Sequence, residues 1–212
     1  MNLPNKLTVL RICLIPLFLF FMIVPLSFEN GEILCRVLAA VFFLLTALTD
    51  FLDGYLARKY KLITDFGKFL DPLADKMMVL GALLGLVVLA SADSSVMGSV
   101  YMRLTALSGL VVLFRELAVT SLRLAASGST GVVIAANILG KVKTVSQIVF
   151  VMIALLEPIV FGKLLPLLWE PLGIVAEYHI LSFTGMAVMS VMTVWSGLGY
   201  FKAYFPLINS NK

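Results

Sequence analysis

With one histidine (His179), two cysteines (Cys13 and Cys35) and only 13% charged residues, this 212-residue chain lacks the usual equipment of a soluble catalyst. No CxxC or Cys/His spacing occurs, so a zinc or redox site is excluded. Both cysteines fall in or beside apolar runs and read as packing residues. His179 stands near the start of the last apolar run and reads as an interfacial residue, not a ligand. No basic run alternates with exposed aromatics, so the net charge of +4 does not point to nucleic acid. Lys6 and Arg11 precede an apolar run as in a signal peptide. No small-residue cleavage site follows, however, so the run is read as a retained first helix.

What the chain has is apolar length. Sixty-one per cent hydrophobic residues place it among integral membrane proteins. A chain of this size accommodates about six spans of roughly 20 residues. Six apolar runs, about 7–27, 34–58, 67–91, 101–126, 140–161 and 178–202, predict an all-α bundle of six transmembrane helices. Residues 1–212 then form one domain. Gly31, the polar stretch Ser91–Ser95 and the Gly/Ser cluster Ser127–Gly131 supply breaks. Pro158, Pro166 and Pro171 with Trp169 make 157–177 a loop with a short interfacial piece. With both termini cytoplasmic, thirteen Lys and Arg lie on the inner side and three (Arg36, Arg103, Lys163) on the other.

Against this background four aspartates stand out, in Asp50-Phe-Leu-Asp53-Gly54-Tyr-Leu-Ala57-Arg58 and, eight residues on, Gly67-Lys-Phe-Leu-Asp71-Pro-Leu-Ala-Asp75. A carboxylate near the bilayer centre costs at least about 2.5 kcal/mol and needs a partner. Helical spacing puts Asp50, Asp53, Gly54, Ala57 and Arg58 on one stripe and Gly67, Asp71 and Asp75 on another. The short connection makes the two helices antiparallel neighbours, so the stripes can face each other. Hard oxygen ligands without His or Cys suit Mg²⁺ or Mn²⁺. Four carboxylates could hold two ions bridging a phosphate-bearing ligand. The small residues leave room for a ligand against the backbone, and Arg58 can grip a phosphate bidentately. The alternatives are neutralisation by basic partners or the ion path of a transporter. Regular spacing, with Gly, Ala and Arg set between the acids, favours the metal site.

These residues resemble the signature of the CDP-alcohol phosphatidyltransferase family, D-x2-D-G-x2-A-R-x8-G-x3-D-x3-D, at every defined position. The resemblance implies a six-helix membrane fold, two divalent cations, and displacement of CMP from a CDP-linked lipid by an alcohol. It implies that Asp50, Asp53, Asp71 and Asp75 are metal ligands and that Asp75 is also the general base. It implies a cytidine-diphosphate cradle of Gly54, Ala57, Arg58 and Gly67, joined by Asn5, Thr8 and Arg11. A homodimer in the bacterial cytoplasmic membrane, with the site facing the cytoplasm, is implied as well.

The acceptor must be read from elsewhere. Arg115 and Arg123 lie eight apart on roughly one helix face, and Lys141 and Lys143 open the next helix. Together they could form an anion pocket for an acceptor that carries a phosphate. For Lys141 and Lys143, and less so for Arg115 and Arg123 deeper in their helix, the alternative is a positive-inside flank that holds anionic lipid headgroups. Glu116 reads as a simple partner of a neighbouring arginine. The segments Phe114–Arg123 and Gly140–Thr144 look like those of the family's bacterial phosphatidylglycerophosphate synthases. That likeness implies CDP-diacylglycerol and sn-glycerol 3-phosphate as substrates. It runs from Asn2 to about Gln147; the last 60 residues resemble the family only in being apolar. A sibling acceptor (phosphatidylglycerol or an inositol phosphate) and an ion-coupled transporter are the rival readings. Gly81, Gly85, Ala106 and Gly109 are the small residues that could let helices of two copies approach.

Overall fold

The computed structural model describes residues 2–24, 26, 30–60, 65–130 and 138–209. Helices α1 (Leu3–Ile23), α2 (Gly31–Tyr60), α3 (Asp65–Ser91), α4 (Val96–Thr130) and α5 (Ile138–Ile159) follow in order. Short π and 3-10 turns and a five-residue helix, α6 (Gly173–Glu177), then lead into α7 (Ile180–Asn209). Six of these helices are long and apolar enough to cross a membrane. They are α1 to α5 and α7, each covering the roughly 30 Å of a hydrocarbon core at 1.5 Å per residue. Leu84, Phe114 and Leu198 are among the many large apolar side chains left on the outside. In water such a surface would be a liability; against lipid it is the expected exterior.

The helices close into a ring of neighbours: α2 beside α1, then α3, α4, α7, α5 and back to α2, with α3 and α5 also touching across the middle. Alanines on the inner faces (Ala39, Ala40, Ala74, Ala82, Ala154) let the backbones approach. Larger residues then fill the remaining space, with Phe18 of α1 and Phe43 of α2 meeting edge to face at 5.4 Å. Because α1 packs most extensively on α2 and next on α3, while α2 and α3 touch little, the two acid-bearing helices are joined chiefly through α1.

Several boundaries differ from those read off the sequence. The break before α2 sits at Asn30, whose φ is 59°, and Gly31 is already helical. Helix α4 runs on to Thr130 through most of the Gly/Ser cluster, and residues 131–137 lie outside the described set. The segment 157–177 is not a loop. Helix α5 continues through Pro158, and a π turn at Val160–Leu164 and 3-10 turns follow. A proline removes one helical hydrogen bond, and a local π adjustment absorbs that loss without ending the helix. Gly81 and Gly85 face inward against α1: an added methyl would lie 3.3 Å from Leu19 and 2.8 Å from the Met22 methyl. They serve packing within the chain, so they offer no face to a second copy.

The end of the bundle far from the aspartates is closed by polar contacts. Ser95 caps α4, accepting from the Gly98 N–H at 2.8 Å, while Asp93 accepts from the Ser95 N–H at 2.9 Å. Those Ser95 contacts, backbone before side chain, hold the Asp93 carboxyl below the usual carboxylate range. His179, at φ 50°, stacks on Tyr101 with centroids 4.6 Å apart, an interfacial packing role as expected. Glu157 is 2% exposed. It accepts from the N–H groups of Leu181 and Ser182 at 2.8 Å each, and from the Ser182 hydroxyl, so α5 caps the start of α7. Replacing it leaves two buried donors without partners, and Glu157→Ala is expected to cost about 2 kcal/mol. Thermal unfolding in detergent should show a lowered midpoint for Glu157→Ala and a smaller drop for Glu157→Gln. Equal midpoints for all three proteins would contradict this capping role.

Candidate active site

Helix α1 enters the acid cluster with two side chains one turn apart. The Thr8 hydroxyl lies 2.9 Å from Asp71 Oδ1 and 3.3 Å from Asp53 Oδ2. Arg11, 0% exposed, pairs through Nη1 with Asp50 Oδ1 at 2.7 Å and through Nη2 with Asp53 Oδ2. The Nη1 contact is an ion pair whose N–H is not aimed along a hydrogen bond. The two acid stripes are thus brought together as their spacing predicts, but with Thr8 and Arg11 set between them. Asn5 and Gly67 are also buried here, and Gly54 is half-buried. Ala57 and Arg58 lie in α2, but their side chains fall outside the described set.

Beyond the acids opens a cavity of about 610 Å³. It is lined by Asp50 from α2, by Asp71, Asp75 and Lys76 from α3, by Arg115, Glu116 and Arg123 from α4, and by Lys141 and Lys143 from α5. All four predicted cations therefore reach one space with three of the four acids, while Asp53 stays buried behind Arg11. The cations are not equivalent. Glu116 accepts from Arg115 Nη1 at 3.0 Å and from Lys143 Nζ, which ties the two deeper cations together. Arg123 and Lys141 are more exposed.

Lys76, Thr120 and Tyr200 line the same cavity and were not among the residues picked out from the sequence. Lys76 Nζ donates to Thr120 Oγ1 at 3.0 Å. Tyr200 comes from α7, together with Ser196, which accepts from Arg115 Nη2 at 2.6 Å. The last 60 residues therefore contribute to the site and are more than apolar ballast. Tyrosine near the end of an apolar run reads as an interface anchor, which is why its role was not visible. Behind Asp75, a water-sized cavity of about 20 Å³ is lined also by Glu116, Lys143 and Gln147.

Among the described residues, no three acid, His or Cys side chains converge closely enough to hold an ion as they stand. Thr8 and Arg11 interleave them. The carboxylates nevertheless supply hard oxygens only, as Mg²⁺ or Mn²⁺ prefers. Asp75 Oδ1 is buried and has no hydrogen-bond partner. An orphaned acceptor costs roughly 1–3 kcal/mol, which coordination would offset. The residues fit.

Six helices of membrane length thus enclose, at one end of their ring, a cavity lined by both acidic and basic side chains. The sequence profile of the CDP-alcohol phosphatidyltransferase family matches residues 1–196, and the chain belongs to that family. The match extends well past Gln147, into α7, and stops short of Tyr200. Three bacterial relatives are each named CDP-diacylglycerol–glycerol-3-phosphate 3-phosphatidyltransferase. The protein of Bacillus subtilis (strain 168) is 43% identical over 166 residues, covering 76% of this chain and 79% of its own. That of Pseudomonas fluorescens is 33% identical, covering 100% of this chain and 94% of its own. That of Yersinia enterocolitica is 34% identical, covering 96% and 94%.

The buried Arg11 contacts make a stability prediction. Arg11→Met strands two carboxylates and should cost about 3 kcal/mol, as breaking a buried pair does. Thr8→Val, which removes neutral hydrogen bonds, should cost about 1 kcal/mol. Thermal denaturation of the purified proteins should rank them in that order, and an unchanged midpoint in Arg11→Met would be incompatible with it.

Proposed function

We propose that this chain transfers the phosphatidyl group of CDP-diacylglycerol to sn-glycerol 3-phosphate, giving phosphatidylglycerophosphate and CMP. The names of the relatives support the reaction, and one observation ties it to the site. A single cavity brings Asp50, Asp71 and Asp75 together with Arg115, Arg123, Lys141 and Lys143. Two anionic substrates need opposite treatment: a diphosphate at the acids through cations, and a free phosphate at the basic side chains directly. Family membership sets the transporter reading aside.

Asp50, Asp53, Asp71 and Asp75 would hold two divalent cations, Mg²⁺ or Mn²⁺, which supply Lewis-acid stabilisation to the phosphorus under attack and to the departing phosphate. Asn5, Thr8, Gly54, Ala57, Arg58 and Gly67 form the cytidine-diphosphate cradle. Arg11, fully buried, acts by fixing Asp50 and Asp53. Arg115, Arg123, Lys141 and Lys143 hold the acceptor's phosphate and so place its hydroxyl. Asp75 takes the proton of that hydroxyl as its oxygen bonds to the β-phosphorus. The bond from that phosphorus to the bridging oxygen breaks, and CMP leaves with the oxygen.

The whole chain works as one membrane domain, with its acyl-chain substrate kept in the bilayer. The excess of Lys and Arg at the cavity end supports cytoplasmic termini and a cytoplasmic site in a bacterial inner membrane. A homodimer belongs to the same proposal, with an interface elsewhere than Gly81 and Gly85.

Purified protein given CDP-diacylglycerol, Mg²⁺ or Mn²⁺ and one labelled acceptor at a time should release CMP and label lipid with glycerol 3-phosphate. Removing an acid–base group typically costs 10²–10⁴-fold. Asp75→Asn is therefore expected to lose roughly 10³-fold in CMP release, and EDTA to stop it. Labelled lipid with phosphatidylglycerol or an inositol phosphate instead would replace the acceptor assignment. Full activity in Asp75→Asn would remove Asp75 as the base.

A further inference from the structure

We infer that Tyr200 is the positioning residue that sets Arg115 and Arg123 as a pair for the acceptor's phosphate, and so governs affinity for that substrate. The inference rests on the acceptor reading given above. Tyr200 lies on α7, is 4% exposed and borders the cavity together with the two arginines. The guanidinium carbons of Arg115 and Arg123 lie 5.4 and 4.9 Å from its ring centroid. Arg123 Nη2 also donates to the Tyr200 hydroxyl at 2.8 Å. Both cations therefore share one aromatic ring.

The chemistry of that arrangement suits phosphate capture. Two guanidinium groups that both lie within 5.4 Å of one ring centroid repel, and the electron-rich ring they share offsets part of the repulsion. Stacking engages the face of a guanidinium. Its N–H donors lie in the plane, where they match phosphate oxygens. An arginine on a flexible stem would otherwise lose rotamer freedom when the ligand arrives; one already held on a ring has less to lose. The surroundings hold the ring in turn. Val119, between the two arginines on α4, packs with Tyr200 and Tyr204 in a small buried cluster. Gly140 and Gly197 keep space open: an added methyl would come 3.2 Å from the Tyr200 hydroxyl oxygen and 3.1 Å from Arg115 Cγ. Ser196, one turn before Tyr200, anchors the far side of Arg115. Ser196, Gly197 and Tyr200 thus form a cradle on α7 for side chains of α4.

The test compares wild type, Tyr200→Phe and Tyr200→Leu as purified full-length proteins. KM is measured for each substrate, together with the thermal shift caused by glycerol 3-phosphate without CDP-diacylglycerol. Losing both ring contacts should raise KM for glycerol 3-phosphate roughly 30-fold in Tyr200→Leu. Losing only the hydroxyl should raise it about fivefold in Tyr200→Phe. KM for CDP-diacylglycerol should stay within about twofold of wild type in both, since the ring lies against the arginines. The thermal shift should shrink in the same order. Equal rises in both KM values, or a fall in kcat with KM for glycerol 3-phosphate unchanged, would overturn the inference. If the leucine variant does not fold, Tyr200→Phe decides, and an unchanged KM for glycerol 3-phosphate there also overturns it. A wild type that responds to glycerol 3-phosphate beside an equally responsive Tyr200→Leu sinks only the role of Tyr200. A wild type with neither product nor shift sinks the acceptor reading and this inference with it.

Discussion

The Arg11 guanidinium, buried against Asp50 and Asp53, ties α1 to α2 and offsets carboxylate charge that would otherwise stand uncompensated beside the acids of α3. Carboxylates carried by two helices at the edge of a hydrocarbon layer repel each other and lose hydration. Thr8 adds a second tie one turn earlier, bridging Asp53 of α2 to Asp71 of α3. The helix carrying both ties is also the one that packs most closely on the acid helices, so α1 serves as both counter-charge and spacer. The ring of helices and the placement of the acids therefore depend on one set of contacts.

The basic side chains solve the reverse problem. Arg115, Arg123, Lys141 and Lys143 share one partly closed cavity, and positive charges in such surroundings also repel. Glu116 offsets Arg115 and Lys143, and the Tyr200 ring lies against Arg115 and Arg123. The deeper cations are tied down while Arg123 and Lys141 stay more open to the cavity, a gradient from fixed to accessible charge. Acids and cations are assembled at the same end of the bundle, and the far end is devoted to capping. Glu157 of α5, at the start of α7, and Ser95, just before α4, do there for backbone donors what Arg11 does for carboxylates.

Most of this was legible from residue spacing. Asp50, Asp53, Asp71 and Asp75 declare themselves because helical periodicity and the cost of burying charge leave few other readings, and Arg115 and Arg123 follow by the same logic. What periodicity does not reveal is which helix lies between two others. The role of α1 as the bridge appears only once packing is known, although Thr8 and Arg11 had been picked out by resemblance. Tyr200 was hidden because a tyrosine at the end of a span looks like an interface anchor, and its cation partners lie some 80 residues away in the chain. Glu157 was hidden by the prolines around it, which read as a loop but were absorbed by a π turn. Gly81 and Gly85 signalled close approach correctly, but a small residue does not say whose helix approaches.

The proposed divalent-cation site places the ions on Asp50, Asp53, Asp71 and Asp75 and none on Arg115, Arg123, Lys141 or Lys143. Counting bound Mn²⁺ by electron paramagnetic resonance, with the purified chain and CDP-diacylglycerol, tests it most directly. Two ions per chain in wild type, fewer in Asp50→Asn and an unchanged number in Arg123→Ala are the results expected. No specific Mn²⁺ in the wild type, or the same count after Asp50→Asn, would contradict it.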